Sequence, residues 1–477
     1  MKIFAGATVL AAAFAVCGCA AGPDFQSPAA PTAQSYTRDA QPVTADAEGA
    51  TQTFTHADTA LPMWWTQFGS GALNRLVDTA LHNSPTLAQA QARLTEAREN
   101  YVAEAGATRY PEIDAGLSST RQKVDLNSFG ITSVPSPGPF TVYNASLSVS
   151  YALDIFGGNR RTLEGLMAQV DYQAYELEAA KLSLAGNVVA YAIRRASLQE
   201  EMDLTKGLAD TQARQLSIIE RRFAAGGVSL LDVSRQRTLL AQTRATLPPL
   251  STQLAQADHQ LAILLGTAPS DADFHDITLA SLQLPSVVPV TLPSTLAQER
   301  PDIRASEALL HQASANVGVA TANMYPQFAI LAGIGSQRTR IADVLNGMNI
   351  WNIGLTLTQP LFHGGELRAR KRAAQAEYDA ALASYQQTVL QALQQVADAL
   401  QALNHDAQTL RQRSDAQREA EASLAIAQAQ YAAGGVSQFS VLDTQRSALQ
   451  TTLDRSRAHA DRLSDTAALF QSLGRAW

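Results

Sequence analysis

The chain repeats itself. An ordered set of short strings occurs twice, offset by roughly 210 residues, and a duplication of that kind restricts the fold to two copies of one structural unit. Ser84-Pro85-Thr86-Leu87 opens a helical stretch ending at Tyr110-Pro111, and Arg300-Pro301-Asp302-Ile303 opens another ending at Tyr325-Pro326. Ile155-Phe156-Gly157-Gly158 is answered by Leu361-Phe362-His363-Gly364-Gly365. Phe223-Ala224-Ala225-Gly226-Gly227-Val228-Ser229 is answered by Tyr431-Ala432-Ala433-Gly434-Gly435-Val436-Ser437. Each half therefore reads in one order: a short helix, a strand pair, a long helix, a medium helix.

Period-two patterning marks the strands. Ala145, Leu147, Val149, Tyr151, Leu153 and Ile155 alternate with Asn144, Ser146, Ser148, Ser150 and Asp154. Trp351, Ile353, Leu355 and Leu357 alternate with Asn352, Gly354, Thr356 and Thr358. Weaker partners run through Ile113, Ala115 and Leu117 in the first half, and through Phe328 and Ile330 in the second. A half-buried soluble sheet would share the alternation. The Ser, Thr, Asn and Gly face and the length of about 10–12 residues fit a strand crossing a membrane around a water-filled lumen. Four strands cannot close a barrel alone. Two chains would supply eight, whose side chains fill the interior, and three would supply twelve, wide enough for solutes.

The long helices are expected over about Asn159 to Arg222 and Glu366 to Gln430, each roughly 95 Å at 1.5 Å per residue. Leu163, Val170, Leu177, Leu184, Tyr191 and Leu198 recur every seventh residue, as do Leu382, Val389, Val396, Leu403 and Leu410. A sustained heptad seam means coiled-coil packing. Ser229 to Leu265 reads as one medium helix and Pro301 to Asn323 as a shorter one. Stacked end to end, these two match one long helix, and the helix after Pro85 with the one after Ser437 matches the other. The expectation is a tube: a barrel, a helical cylinder below it, and helical turns at the far tip.

The first residues form a processing signal. Lys2 precedes an apolar run, Ile3 to Val16, of about 14 residues, too short to span a bilayer. Val16-Cys17-Gly18-Cys19 resembles a bacterial lipobox with Cys19 as the lipidated residue, although an ordinary signal peptide would use the same apolar run. Ala20 follows Cys19 where an Asp would favour retention at the inner membrane. Both cysteines of the chain lie here, which leaves no disulfide framework in the mature protein. Residues 1–18 read as a signal peptide and 19–62 as a Pro/Ala/Thr-rich tether with little core-forming material. Residues 63–265 are the first repeat, 266–299 an equatorial connector, and 300–477 the second repeat.

The net charge of -7 over 477 residues, with charged residues at 17%, offers no basic patch for nucleic acid. The eight histidines are scattered, with no His-Glu-x-x-His helix, and Gly333-Ile334-Gly335 lies in a strand instead of opening a helix. No constellation for catalysis or metal binding emerges, and no cofactor is expected beyond the lipid on Cys19.

The chain resembles the TolC-like outer-membrane factors, in the NodT-like lipoprotein branch serving RND-type efflux pumps, over essentially the whole mature sequence. The carriers are Cys19 with Gly22-Pro23-Asp24-Phe25, then Trp64-Trp65, Phe68, Leu73, Leu76, Ala80-Leu81 and Asn83. Arg300-Pro301-Asp302-Ile303 with Glu307, Leu153-Asp154-Ile155-Phe156-Gly157 and the two Gly-Val-Ser tips belong to the same set. Leu473-Gly474-Arg475-Ala476-Trp477 looks like the family's Leu-Gly-Gly-Gly-Trp ending with two substitutions. The resemblance implies a mostly α-helical homotrimer carrying a twelve-stranded barrel in the outer membrane above a periplasmic coiled-coil tunnel. It implies a passive exit duct for drugs or other small toxic compounds, docked on a periplasmic adaptor protein and fed by an inner-membrane pump. A type I protein-secretion duct is the alternative.

The sharpest site expectation falls on the tips, Gly226, Gly227, Val228, Ser229 and Gly434, Gly435, Val436, Ser437. Glycine stops a helix in the left-handed conformation and serine caps the next helix. The resemblance makes these turns the adaptor-docking surface and the periplasmic entrance. The stretch from Ala422 to Tyr431 holds no acidic residue, the nearest being Glu421 and Asp443. The entrance is therefore expected to close by packing of apolar and amide side chains, without a carboxylate ring.

Replacing Cys19 by Ala should abolish incorporation of radiolabelled palmitate. Equal labelling of both proteins would remove the lipoprotein reading.

Overall fold

A computed structural model of the chain describes residues 20–38, 44–47, 50–56, 61–271 and 273–474. Residues 1–19, on which the signal-peptide and lipidation expectations fall, and the terminal Arg475-Ala476-Trp477 lie outside the described residues. The first half contains strands β1 (Thr44–Ala47) and β2 (Ala50–His56), helices α1 (Gly71–Asn83) and α2 (Pro85–Arg109), then strands β3 (Glu112–Gln122) and β4 (Phe140–Leu153). Helices α3 (Gly158–Ala224), α4 (Leu230–Ala245) and α5 (Leu247–Leu264) follow, then strand β5 (Val287–Val290) and helix α6 (Pro293–Glu299). The second half continues with α7 (Pro301–Ala322), β6 (Gln327–Arg338), β7 (Ile350–Thr358), α8 (Glu366–Ala432) and α9 (Gln438–Ser472).

The described residues up to Pro28, with Arg93–Gln173 and Ser306–Tyr385, form one compact unit. The described residues of Ala29–Ala92, Ala174–Ala305 and Gln386–Trp477 form the other. The repeats are thus units of sequence, while each compact unit takes material from both.

The first unit is organised by one antiparallel sheet in the order β3-β4-β6-β7, which joins the two repeats at β4–β6. Register puts like with like: Ile113, Val149, Ala332 and Ile353 stand in one row, and Ala115, Leu147, Ile334 and Trp351 in the next. The rows between are mostly polar or small, such as Asp114, Ser148, Gly333 and Asn352, with Leu331 a large apolar exception. A slip of one residue would move every apolar side chain to the other face. Strands β3 and β7 are the edges, and every residue of both is exposed in the single chain.

Helix α3 begins where Asp154 accepts the backbone N–H groups of Asn159 and Arg160 at 3.0 and 2.9 Å, placing a carboxylate at the positive end of the helix. Beside this start the segment after residue 19 is pinned down. The Arg161 guanidinium, almost fully buried, donates to the carbonyls of Ala21 and Gly22 and, at 2.6 Å, to Asp24. Phe25 stacks on His311 with centroids 4.3 Å apart, and Ser27 donates to Glu307. Gly22 has φ 90°, and a Cβ there would lie 2.6 Å from the Gly318 Cα, so the close approach requires glycine.

The second unit holds the middle of the heptad seams. Leu177, Leu184 and Leu198 of α3 are buried, as are Val389, Val396, Leu403 and Leu410 of α8, with Ala185, Ala192, Ala392 and Ala399 allowing close approach. Trp64, Trp65 and Phe68 are fully buried, and Trp64 stacks on Phe470 of α9 at 5.9 Å. Arg300 explains its own string. It holds Asp302 bidentately at 2.9 and 2.8 Å and donates to the Ser472 carbonyl at 2.9 Å and to Gln395. One buried guanidinium thereby links the start of α7 to α8 and to the end of α9.

Two sequence expectations are corrected. The tether is not featureless: β1 pairs antiparallel with β2, and β2 pairs in parallel with β5 from the connector. Arg462 of α9, fully buried, donates to Gln52 Oε1 at 3.1 Å and to the Ala45 carbonyl at 2.7 Å, which fixes this small sheet on the helix. The medium helix expected from Ser229 to Leu265 is instead two helices, α4 and α5, meeting at Thr246. Pro248 and Pro249 cannot donate to a preceding turn, so they end one helix and sit in the first turn of the next.

Near Arg462 the carboxyl of Asp406 is pushed up to about 7, first by burial, then by a hydrogen bond with Asp465 and by the charges of Asp465 and Asp461, against the opposing pull of Arg462. Asp461 is raised too, by burial and by Asp465. Because the folded state keeps this proton where an ordinary carboxyl at 3.8 has lost it, stability is greatest below that value and declines as pH rises through about 7. Unfolding temperature should therefore fall between pH of about 4 and about 7 and level off above, and Asp406→Asn should flatten the slope. Thermal unfolding of the solubilised protein across that range is the check.

Candidate functional site at the paired helix tips

The tips are built by backbone chemistry first. At the end of α3 the Gly227 N–H donates to the Arg222 carbonyl at 2.8 Å and the Gly226 N–H to that of Phe223 at 2.9 Å. At the end of α8 the Gly435 N–H reaches Gln430 at 2.8 Å and the Gly434 N–H reaches Tyr431 at 3.0 Å. This crossed pair of bonds is the Schellman motif, which satisfies carbonyls that a helix end leaves open. Gly226 and Gly434 carry it, at φ 76° and 77°, while Gly227 and Gly435 have negative φ and bear no such requirement. A side chain at Gly226 or Gly434 would meet open space, so the demand there is conformational and not steric.

The next helices start differently in the two tips. Ser229 and Asp232 form a reciprocal capping box: the Asp232 N–H donates to the Ser229 hydroxyl oxygen at 3.2 Å, and the Ser229 N–H to the Asp232 carboxylate at 3.1 Å. The Ser229 hydroxyl also donates to that carboxylate at 2.6 Å, and these bonds hold Asp232 below the usual carboxylate range. Ser437 stands at the N-cap position of α9 but its side chain accepts no capping bond, contrary to expectation. The helix-third residue of the second tip is Ser440, which cannot return the bond an Asp returns at the first. Val228 and Val436 occupy corresponding places between glycine and serine in the two turns.

Two arginine–aromatic pairs bring the tips together, and sequence reading missed both. Arg222 of α3 donates to the Tyr431 hydroxyl of α8 at 2.8 Å, with its guanidinium 5.6 Å from the ring centroid. Arg235 of α4 lies 5.5 Å from the centroid of Phe439 in α9. One signal was available: Tyr431 occupies the place of Phe223 in the duplicated string, adding a hydroxyl to only one tip. Behind these pairs lies an open groove of about 380 Å³ lined by Leu231, Leu239, Phe439 and Leu442, with Arg235 and Asp443 at its polar margin. Leu231 and Phe439 are each 57% exposed, so the groove presents apolar surface to whatever approaches. Asp443 pairs with Arg446 at 3.0 Å, and Glu421 accepts from Gln417 at 2.8 Å. Below the groove, Gln236 donates to the Gln212 carbonyl at 3.0 Å and Arg237 holds Glu220 at 2.7 Å, which fastens α4 against α3.

A family model described as outer membrane efflux protein matches residues 76–267 and 292–475. The pyoverdine export outer membrane protein OpmQ of Pseudomonas putida is 33% identical over 424 residues, covering 88% of this chain and 89% of its own. The solvent efflux pump outer membrane protein SrpC of Pseudomonas putida is 30% identical over 469 residues, covering 96% of each. Among solved structures, the outer-membrane channel OprN superposes with a TM-score of 0.83 at 28% identity, over 96% of this chain and all of that one.

Substituting Val for Gly226 or Gly434 should cost roughly 1–2 kcal/mol locally, the penalty of the left-handed conformation for a side chain with a Cβ. Ala at Gly227 or Gly435 should cost less than about 0.5 kcal/mol. Amide exchange in the last turns of α3 and α8 is the measurement, and it should quicken only in the first pair of variants.

Proposed function

The chain belongs to the outer membrane efflux protein family, and from that membership we propose how its parts act as a duct. It is an outer-membrane channel of an efflux pump, assembled as a trimer because the barrel exists only when three four-stranded sheets join. The duct performs no chemistry and supplies no energy. Its work is to hold open a water-lined route, with mostly polar or small side chains along one face of the sheet and mostly apolar ones along the middle of the other.

The finer reading has three parts. Cys19 carries lipid that tethers the mature chain to the outer membrane, and the Arg161 clamp on residues 21–24 holds the tethered end beside the start of α3. The tips dock on a periplasmic adaptor protein, with Gly226 to Ser229 and Gly434 to Ser437 forming the turns and the Leu231–Phe439 groove receiving apolar side chains of the adaptor. An RND-type inner-membrane pump supplies the substrates, small toxic organic compounds, and entrance closure relies on apolar and amide packing. The single observation that supports this reading most is the pair of exposed apolar tips built on rigid Schellman turns and joined by Arg222 and Tyr431.

The test is complementation of a strain lacking the gene. Loss of the gene should raise susceptibility to small apolar toxicants and leave the set of secreted proteins unchanged. The wild-type chain should restore resistance, and Phe439→Glu should fail to restore it while still forming trimers in the membrane. An altered secretome with unchanged susceptibility would assign the duct to protein secretion. Full resistance with Phe439→Glu would move docking away from the groove.

A further inference from the structure

The sheet and its junctions with the helices show a contact made once within the chain and left half-made at both edges. Phe156 follows β4 and Tyr325 precedes β6, and their rings stack at 4.8 Å with planes 15° apart. Strands β4 and β6 are the neighbours through which the two repeats meet. In the duplicated strings the copy of Phe156 is Phe362, which follows β7, and the copy of Tyr325 is Tyr110, which precedes β3. Strands β7 and β3 are the two open edges of the sheet.

We propose that Phe362 of each protomer stacks on Tyr110 of its neighbour, so that every seam between chains repeats the Phe156–Tyr325 contact made inside each chain. The proposal rests on the trimeric reading above. In the single chain Phe362 is 87% exposed and Tyr110 69%, whereas Phe156 is half-buried and Tyr325 is 44% exposed. Leu361 is 91% exposed, while its copy Ile155 is half-buried. Aromatic and branched side chains left this open beside unpaired strand edges are the mark of a surface completed by another chain.

Only a second copy of this chain fits the place. A β7 edge can be continued by a β3 edge in the way β4 is continued by β6, and a closed ring offers each β7 one such partner. The pleat gives an independent check. Leu355 and Ile353 of β7 and Leu117 and Ala115 of β3 lie on the apolar face in their own hairpins, so an antiparallel seam pairing odd-numbered residues keeps one continuous apolar surface. That seam brings the start of β3 alongside the end of β7, which is where Tyr110 and Phe362 stand. Aromatic pairs at such a junction favour offset stacking with centroids about 4.5–7 Å apart, the range in which Phe156 and Tyr325 lie.

The test uses the full-length protein in membranes. In the reading above Cys17 leaves with the signal peptide and the Cys19 sulfur carries the lipid, so the introduced thiols are the free ones. A Tyr110→Cys, Phe362→Cys double variant treated with a short bis-maleimide should give covalent dimers and trimers on a denaturing gel. Each single variant should remain a monomer. A Leu117→Cys, Leu355→Cys double variant reports on the strand seam separately. Cross-links across the seam with none between positions 110 and 362, in a protein of trimeric native size, would overturn the aromatic contact and leave the trimer standing. In case cysteine weakens assembly, a photoreactive benzoyl-phenylalanine at position 362 keeps the aromatic bulk. Mass spectrometry should then find it joined to the peptide containing Tyr110, and capture of any other peptide would reject the proposal.

Discussion

Unpaired backbone hydrogen-bonding groups on two strand edges set the terms for this molecule. A four-stranded sheet exposes the outer N–H and C=O groups of β3 and β7, and in the hydrocarbon of a membrane no water is available to satisfy them. Each unsatisfied group costs several kcal/mol, a debt no side chain packing on a sheet this small offsets. Closure with other copies is the available solution. The trimer follows from this, as does the uniform exposure of β3 and β7 in the isolated chain.

The rest of the fold transmits that closure. The two long helices follow β4 and β7 after short junctions, so the spacing of strands around the barrel fixes where the helices begin. Their seams are rich in alanine, which permits close approach but specifies register weakly, and specificity comes from a few buried polar anchors. Arg300, Arg195 and Arg462 each reach backbone carbonyls as well as side chains. A buried arginine fits only where all its partners are in place, so each one fixes the relative height of the elements it touches.

Much of this was legible in the residues. The duplication, the strand alternation and the heptad seams each rest on a periodicity that a long element repeats many times, and errors at single positions do not erase it. What was missed depends on single residues or on partners far apart in the chain. Strands β1, β2 and β5 are short, and β2 pairs with a segment more than two hundred residues away, so Thr51, Thr53 and Thr55 looked like linker. The break at Thr246 is encoded in Pro248 and Pro249, which the expectation of one helix from Ser229 to Leu265 left out of account. At the tips the glycine pairs were found, yet only dihedral angles reveal that Gly226 and Gly434 carry the turn, and only hydrogen bonding separates Ser229, which caps its helix with Asp232, from Ser437, which has nearly the same backbone angles and does not. The Arg222–Tyr431 bond joins residues 209 positions apart, which no local pattern encodes.

The pairing of β4 with β6 has a consequence in time. Strand β4 ends at Leu153 and its partner β6 is complete only at Arg338. At roughly 5–20 residues per second, the first hairpin leaves the ribosome on the order of 10–40 seconds before the strand that covers its inner edge exists. A two-stranded ribbon with an apolar face and two bare edges is too small to be stable in water alone, so this segment cannot complete its sheet in that interval. Strand β4 therefore waits for its partner during synthesis, whereas β6 finds β4 already made.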